Sequence, residues 1–231
     1  MRTAAILPVK SFARAKQRLG ASVADQLRLQ LASAMVADVL LALAQTEAIE
    51  RTIVVTREDT VAIAARTQGA IVVDDAAESG QSAAAALGVQ RALTEGMERV
   101  LCIPGDCPAL DPAELEALLS AEAAERRGER AVVIVPDRHG TGTNGLLLTP
   151  PDAIAPSFGP DSCERHRTLA LAAGIEPGIE RPTSLLLDID TGADLAALRQ
   201  RLSGLSTRAP RTRAVLGLGE HTDVLPLTTP A

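Results

Sequence analysis

Aromatic residues are nearly missing from this sequence: there is no Trp, no Tyr and only two Phe among 231 residues. A nucleic-acid groove needs stacking platforms and a basic face, and a chain of formal charge −6 offers neither. The core must therefore be built from Ala, Leu, Val and Ile, and at 46% hydrophobic content the chain has enough of them for one sizeable domain. Cysteine is also scarce. Cys102, Cys107 and Cys163 form no CxxC pair and have no His at zinc-ligand spacing, which fits a reducing, cytoplasmic compartment. Long hydrophobic runs are absent too: residues 36–44, the most apolar stretch, are interrupted by Asp38 and too short to span a bilayer, and the apolar amino terminus breaks at Pro8 and Lys10 without a signal-peptide core. The expectation is a cytoplasmic protein with neither a membrane nor a nucleic-acid partner. No internal repeat is visible.

What is present is an alternation of short apolar runs with amphipathic stretches. Residues 3–9 read as a buried strand, followed by a basic loop with four positive charges between Lys10 and Arg18. Ser22 with Asp25 has the spacing of a capping box, and Leu27, Leu31, Met35 and Val39 then recur on one helical face. Strands are expected at 51–56, 70–73, 100–103 and 131–135, with helices at 58–66, 81–94 and from Pro112 onward between them. Such alternation predicts an α/β fold with a largely parallel sheet and helices on both faces. The alternation then breaks at the glycine-rich stretch 137–145. A helix over 163–173, a strand over 185–188 and a helix through Leu195, Leu198 and Leu202 complete a domain spanning 1–203. From 204 to 231 the pattern dissolves into Ser, Thr, Pro, Gly and Arg and reads as a flexible tail.

Two acidic strand ends stand out. Pro104-Gly105-Asp106 stops the fourth strand, and ligands of open α/β sheets bind just beyond the carboxyl ends of strands. In Leu187-Asp188-Ile189-Asp190, extended backbone would aim both acids at one site and turn Ile189 into the core. Carboxylate-only donors favour Mg²⁺ over Zn²⁺. The competing reading gives one of these acids to the cap of the next helix, beside Thr191 and Asp194. Lys10, Lys16 and Arg18, with the amides of their loop, suit phosphate, although a solvated loop has the same composition. Gly80 opens a helix either as an ordinary N-cap or to admit a ligand to the backbone. Thr143 and Asn144 supply neutral donors for a carboxylate or phosphate, unless 137–145 is only a surface hairpin. Asp161 with Glu164 resembles a capping box, which places Ser162 in a first turn with free N–H groups and His166 on the same helical face. His139 has no partner in the pattern.

Four stretches together carry a resemblance: Pro8-Val9-Lys10 with Ala15-Lys16-Gln17-Arg18-Leu19; Pro104-Gly105-Asp106-Cys107-Pro108; Asp137 to Asn144; and Phe158-Gly159-Pro160-Asp161-Ser162 with His166 and Leu187-Asp188-Ile189-Asp190-Thr191. They resemble the 2-phospho-L-lactate or phosphoenolpyruvate guanylyltransferases, which make the activated precursor of the deazaflavin coenzyme (factor 420). The resemblance covers about residues 3–203. It implies a nucleotidyltransferase fold of the glycosyltransferase-A kind, a mixed, mostly parallel sheet in a three-layer α/β/α sandwich. It further implies transfer of GMP from GTP to the phosphate of phosphoenolpyruvate, 2-phospho-L-lactate or 3-phosphoglycerate, with release of pyrophosphate.

Carried over by motif, Asp106, Asp188 and Asp190 would hold Mg²⁺, and Asp106, Lys10 and Lys16 would be the catalytic groups. Pro8, Val9, Lys10, Lys16, Arg18, Asp75, Gly80, Ser82, Pro104 and Asp106 would meet the nucleotide; Thr143, Asn144, Gly159 and Ser162 would meet the acceptor acid. Where the family has Gly-Leu-Asn, this chain has Gly80-Gln81-Ser82. The chemistry asks for no general base, because the acceptor phosphate is already ionised; it asks for charge neutralisation and alignment. Two rivals remain at this level: another nucleotidyltransferase of the same fold, which would usually carry a glycine-rich first loop, and an inert nucleotide-binding regulatory domain. A labile product would make the downstream transferase that receives it a natural partner.

Overall fold

The computed structural model describes residues 1–12, 24–125, 130–205 and 207–218. Its centre is a seven-stranded sheet in the order β3-β2-β1-β4-β6-β5-β7. The strands are β1 (Thr3–Val9), β2 (Arg51–Thr56), β3 (Ile71–Asp74), β4 (Arg99–Cys102), β5 (Ala131–Pro136), β6 (Thr143–Thr149) and β7 (Gly178–Ile179). Neighbours in β3-β2-β1-β4 are parallel, whereas β6 runs antiparallel to both β4 and β5. The helices are α1 (Asp25–Ala44), α2 (Asp59–Thr67), α3 (Gln81–Thr94), α4 (Pro112–Glu125), α5 (Ser162–Ala172), α6 (Gly192–Ser203) and α7 (Pro210–Val215).

Strand periodicity divides the apolar residues cleanly between two faces. Ala5, Leu7, Val54, Leu101, Val133 and Leu147 pack with Val39 and Leu43 of α1, Val61 of α2 and Leu115 and Leu119 of α4. Ala4, Ile6, Ile53, Val55, Val100 and Leu148 pack with Ala84, Ala85 and Val89 of α3 and Ala170 of α5. The result is the expected α/β/α sandwich. Each fully buried Leu or Ile contributes about 1.5–3 kcal/mol, so the lack of aromatic rings is offset by number. By length and composition α1, at 20 residues, could cross a membrane, yet Leu31, Met35, Val39, Leu40 and Leu43 are buried in the protein interior.

Four local expectations are corrected. The apolar run 185–188 is not a strand: Thr183–Leu185 is a 3₁₀ turn, and the edge of β5 that it would need is taken by β7. The Leu185 carbonyl instead accepts from the Asn144 amide at 2.8 Å, and one backbone bond, Ile189 N–H to the Asp106 carbonyl at 3.2 Å, draws this segment beside β4. The N-cap of α1 is Ala24, with no side-chain cap; Asp25 pairs with Arg28 at 3.4 Å, and Ser22 lies outside the described residues. Asp161 precedes α5 in a left-handed conformation (φ 54°) and makes no side-chain cap, so no capping box forms with Glu164.

The fourth correction concerns the tail. Within it, α7 packs on α1: Ala209 and Leu216 join a third apolar cluster with Leu31 and Met35 of α1, Leu195, Leu198 and Leu202 of α6, and Ile189. Asp38, whose charge interrupts the apolar stretch of α1, accepts the N–H groups of Arg211 at 3.1 Å and Thr212 at 2.7 Å. Burial pushes the Asp38 carboxyl up, and these bonds pull against that shift. Arg208 adds an ion pair to Asp111 at 2.6 Å. A six-residue helix carries too little periodicity to be seen in sequence, but its tertiary partners hold it.

Candidate active site

A cleft of about 720 Å³ opens at the carboxyl edge of β1 and β4. The reversal of β6 matters for its shape. Leu146 of β6 pairs with Cys102 at the end of β4, so the start of β6, Thr143 and Asn144, extends past that end and lines the cleft. The two residues thus belong to a buried strand and not to a surface hairpin.

The lining is strongly acidic: among the described residues, six aspartates (Asp75, Asp106, Asp137, Asp161, Asp188 and Asp190) face one lysine, Lys10. Asp106, Asp188 and Asp190 share this cleft, while Ile189 between the latter two is fully buried in the third cluster, the alternation expected of an extended segment. Helix capping does not consume these acids. Thr191 caps α6, its hydroxyl accepting the Asp194 N–H at 3.3 Å, and Asp194 accepts the Thr191 N–H at 2.7 Å. Arg138 from the β5–β6 turn also pairs with Asp194, fixing the two segments together.

The Asp188 carboxyl is pushed above the usual carboxylate range, first by burial and then by the nearby Asp106 charge, with Asp190 adding repulsion. Asn144 opposes this by donating to Asp188 Oδ1 at 3.2 Å. With its other N–H given to Leu185, the amide group of Asn144 holds the acid in place rather than waiting for an acceptor. A divalent cation would relieve the same repulsion. Among the described residues no three His, Cys, Asp or Glu side chains stand together as a ready-made metal cage. Mg²⁺, which keeps several waters and takes one or two carboxylates, needs no such cage, and a donor set of carboxylate oxygens fits it.

The nucleotide side is less open than the sequence implies. Pro8, Val9, Lys10, Asp75 and Pro104 line the cleft. Ser11 N–H donates to Glu78 Oε1 at 3.1 Å and Phe12 N–H to Glu58 Oε2 at 3.0 Å, so the first loop amides are already engaged by carboxylates. Lys16 and Arg18 lie outside the described residues. Gly80 caps α3 with φ 110°, a conformation that only glycine adopts readily, but neither it nor Ser82 lines the cleft. The Ser82 hydroxyl donates to the Phe158 carbonyl at 3.3 Å; Gln81, between them, lines the cleft instead.

On the opposite wall stand Thr143, Gly159 and Ser162. The first amides of α5 are not free: Ser162 N–H donates to the Gly159 carbonyl at 3.1 Å and Cys163 N–H to the Thr141 carbonyl at 3.0 Å. Ser162 therefore brings its hydroxyl, not its amide. His166, fully buried behind this wall, bonds Thr143 Oγ1 through Nδ1 at 3.0 Å and accepts the Ser157 N–H at Nε2 at 2.8 Å. Burial and the neighbouring Arg165 push its pKa down to about 4, so the ring is neutral at physiological pH. His139 is exposed and bonded by Arg138. Sequence reasoning passed over Phe12 and Phe158; both rings of this aromatic-poor chain line the cleft, a signal that their position beside the motifs carried.

Such a site can bind polyanions only by gathering cations, and it can grip a small acid with neutral hydroxyls. Comparisons with known proteins agree with that chemistry. The family model described as "Guanylyl transferase CofC like" matches residues 3–209. A phosphoenolpyruvate guanylyltransferase of Conexibacter woesei is 49% identical over 216 residues, covering 94% of this chain and 96% of that protein. One from Sphaerobacter thermophilus is 35% identical over 198 residues, covering 86% and 93%. Among solved structures, a nucleotide-diphospho-sugar-transferase-like protein from Desulfovibrio desulfuricans G20 superposes with a TM-score of 0.74 at 18% identity, covering 94% of this chain and 95% of that one, a likeness of fold. Every strand of the sheet and every aspartate of the cleft falls within the matched span, and the chain belongs to the CofC-like guanylyl transferase family.

Proposed function

We propose that the protein transfers GMP from GTP to the phosphate of phosphoenolpyruvate, releasing pyrophosphate and making the activated precursor of a deazaflavin coenzyme in the cytoplasm. The observation that carries this reading is the opposition of two walls in one cleft: Asp106, Asp188 and Asp190 on one side, Thr143 and Ser162 on the other. The substrate is argued from the relatives named phosphoenolpyruvate guanylyltransferase.

An oxygen of the acceptor phosphate attacks the α-phosphorus of GTP; the new P–O bond forms as the bond to pyrophosphate breaks. The acceptor is ionised at neutral pH, so no side chain has to remove a proton. Mg²⁺ held by Asp106, Asp188 and Asp190 would supply neutralisation of phosphate charge. Lys10, with Lys16 and Arg18 of the same loop, takes the charge of the departing pyrophosphate. The Thr143 and Ser162 hydroxyls and the backbone at Gly159 hold the acceptor carboxylate, and Asn144 keeps Asp188 aimed at the cleft. Gln81, with a donor and an acceptor in one amide, reads the base in place of the Asn found in the family. The downstream transferase takes the product.

The test is pyrophosphate release with GTP and Mg²⁺, comparing phosphoenolpyruvate, 2-phospho-L-lactate and 3-phosphoglycerate, with ATP and CTP as controls. Release with GTP and phosphoenolpyruvate is the expected result. Release with another acid reassigns the acceptor, and silence with all three overturns the reading.

A further inference from the structure

We infer that His166 is a positioning residue that fixes the Thr143 hydroxyl as a hydrogen-bond donor toward the acceptor acid, an inference that rests on the acceptor wall proposed above. The Ser157 backbone N–H can only donate, so Nε2 of His166, 2.8 Å away, must carry the lone pair. In a neutral imidazole the proton is then on Nδ1, 3.0 Å from Thr143 Oγ1. A hydroxyl has one proton and two lone pairs. Because Nδ1–H occupies a lone pair of Oγ1, the hydroxyl proton is left to be given elsewhere, and Thr143 lines the cleft.

The ring has no freedom to reverse this polarity. It is fully buried and packs edge-on against Phe158, with centroids 5.1 Å apart and planes at 74°. A flip would face Nε2–H with the Ser157 N–H, donor against donor. Burial also keeps the ring neutral, since a second ring proton would abolish the acceptor for Ser157. The chain of backbone N–H, imidazole and hydroxyl thus ends in an outward-facing donor, matched to a carboxylate and mismatched to a ligand that can only donate. His166 never touches the substrate.

A purely structural histidine, holding α5 to the 157–161 loop, would give different results in a double-mutant cycle. Thr143→Val and His166→Leu are each expected to raise KM for phosphoenolpyruvate roughly 10- to 100-fold, the loss of one hydrogen bond to a charged group, with KM for GTP unchanged. The double variant is expected to be no worse than Thr143→Val alone. His166→Asn, whose amide N–H reaches the place of Nδ1, should recover most of the loss, and it replaces His166→Leu in the cycle should that variant fail to fold. Additive losses, an equal rise in both KM values, or no effect of Thr143→Val would each overturn the inference. A readout independent of turnover separates it from the substrate assignment: ¹⁵N NMR of the His166 ring at neutral pH should show the proton on Nδ1. A proton on Nε2 would overturn the inference even in a fully active enzyme.

Discussion

The two walls of the cleft solve opposite problems. The acidic wall is left electrostatically strained: Asp188 sits half-buried beside the charges of Asp106 and Asp190, with one amide to soften the repulsion. The acceptor wall is fully paired: His166 is hydrogen-bonded at both ring nitrogens, the first α5 amides are taken by carbonyls, and Arg165 ties the 157–160 loop through Ser157 and Pro160. Strain marks the wall that must acquire a partner carrying charge, and satisfaction marks the wall that must present donors without rearranging. A carboxylate cluster costs stability until a cation arrives; a preorganised hydroxyl costs nothing further when the ligand binds.

That contrast can be broken most severely at Asp106. Asp106→Asn should lower pyrophosphate release by about 10³-fold or more, the scale of losing a group that stabilises transition-state charge, with the thermal midpoint unchanged or raised. Asn144→Ala attacks the one support of the acidic wall. It should cost about 1–3 kcal/mol of stability, because the Leu185 carbonyl is left unpaired, and reduce kcat/KM about 10- to 100-fold as Asp188 loses its donor; denaturant unfolding and steady-state rates check both.

A smaller effect sharpens the comparison through pH. The folded pKa of Asp188 lies above its unfolded value, so ionisation opposes folding: the penalty is absent at low pH and grows as pH rises through the unfolded and then the folded pKa. Asp188→Asn should therefore raise the thermal midpoint at neutral pH by a few degrees, with the gain fading below about pH 4, near the ordinary Asp pKa. Mg²⁺ should stabilise the unaltered protein more than this variant. The least effect on turnover is expected far from either wall. Asp38→Ala strands the Arg211 and Thr212 N–H groups at about 1–3 kcal/mol, seen as a lower midpoint, while pyrophosphate release per folded molecule stays within about twofold.

The same contrast explains what could be read from the sequence. Asp106, Asp188 and Asp190 were legible because each follows an apolar run, and alternation alone sends Ile189 inward and its neighbours outward. The parallel half of the sheet was legible for the same periodic reason. The acceptor wall was visible only as residue types. Its organisation depends on partners far apart in the chain, His166 with Thr143 and Asn144 with Leu185, which no local pattern encodes. The run 185–188 looked like a strand because it is apolar, but a strand needs a free edge, and β7 holds it. Asp38 looked like an interruption until α7 supplied the amides that explain it. The switch from Ser82 to Gln81 at the cleft follows from the first turn of α3, a rotation that spacing did not reveal.

The central claim is that the strained wall works by holding a divalent cation for guanylyl transfer. Its most direct test is pyrophosphate release from GTP and phosphoenolpyruvate with Mg²⁺ present and with Mg²⁺ removed by a chelator. Turnover that depends on Mg²⁺, is restored by adding it back and is lost in Asp106→Asn is the predicted result; turnover that persists in chelator, or in Asp106→Asn, would contradict the account.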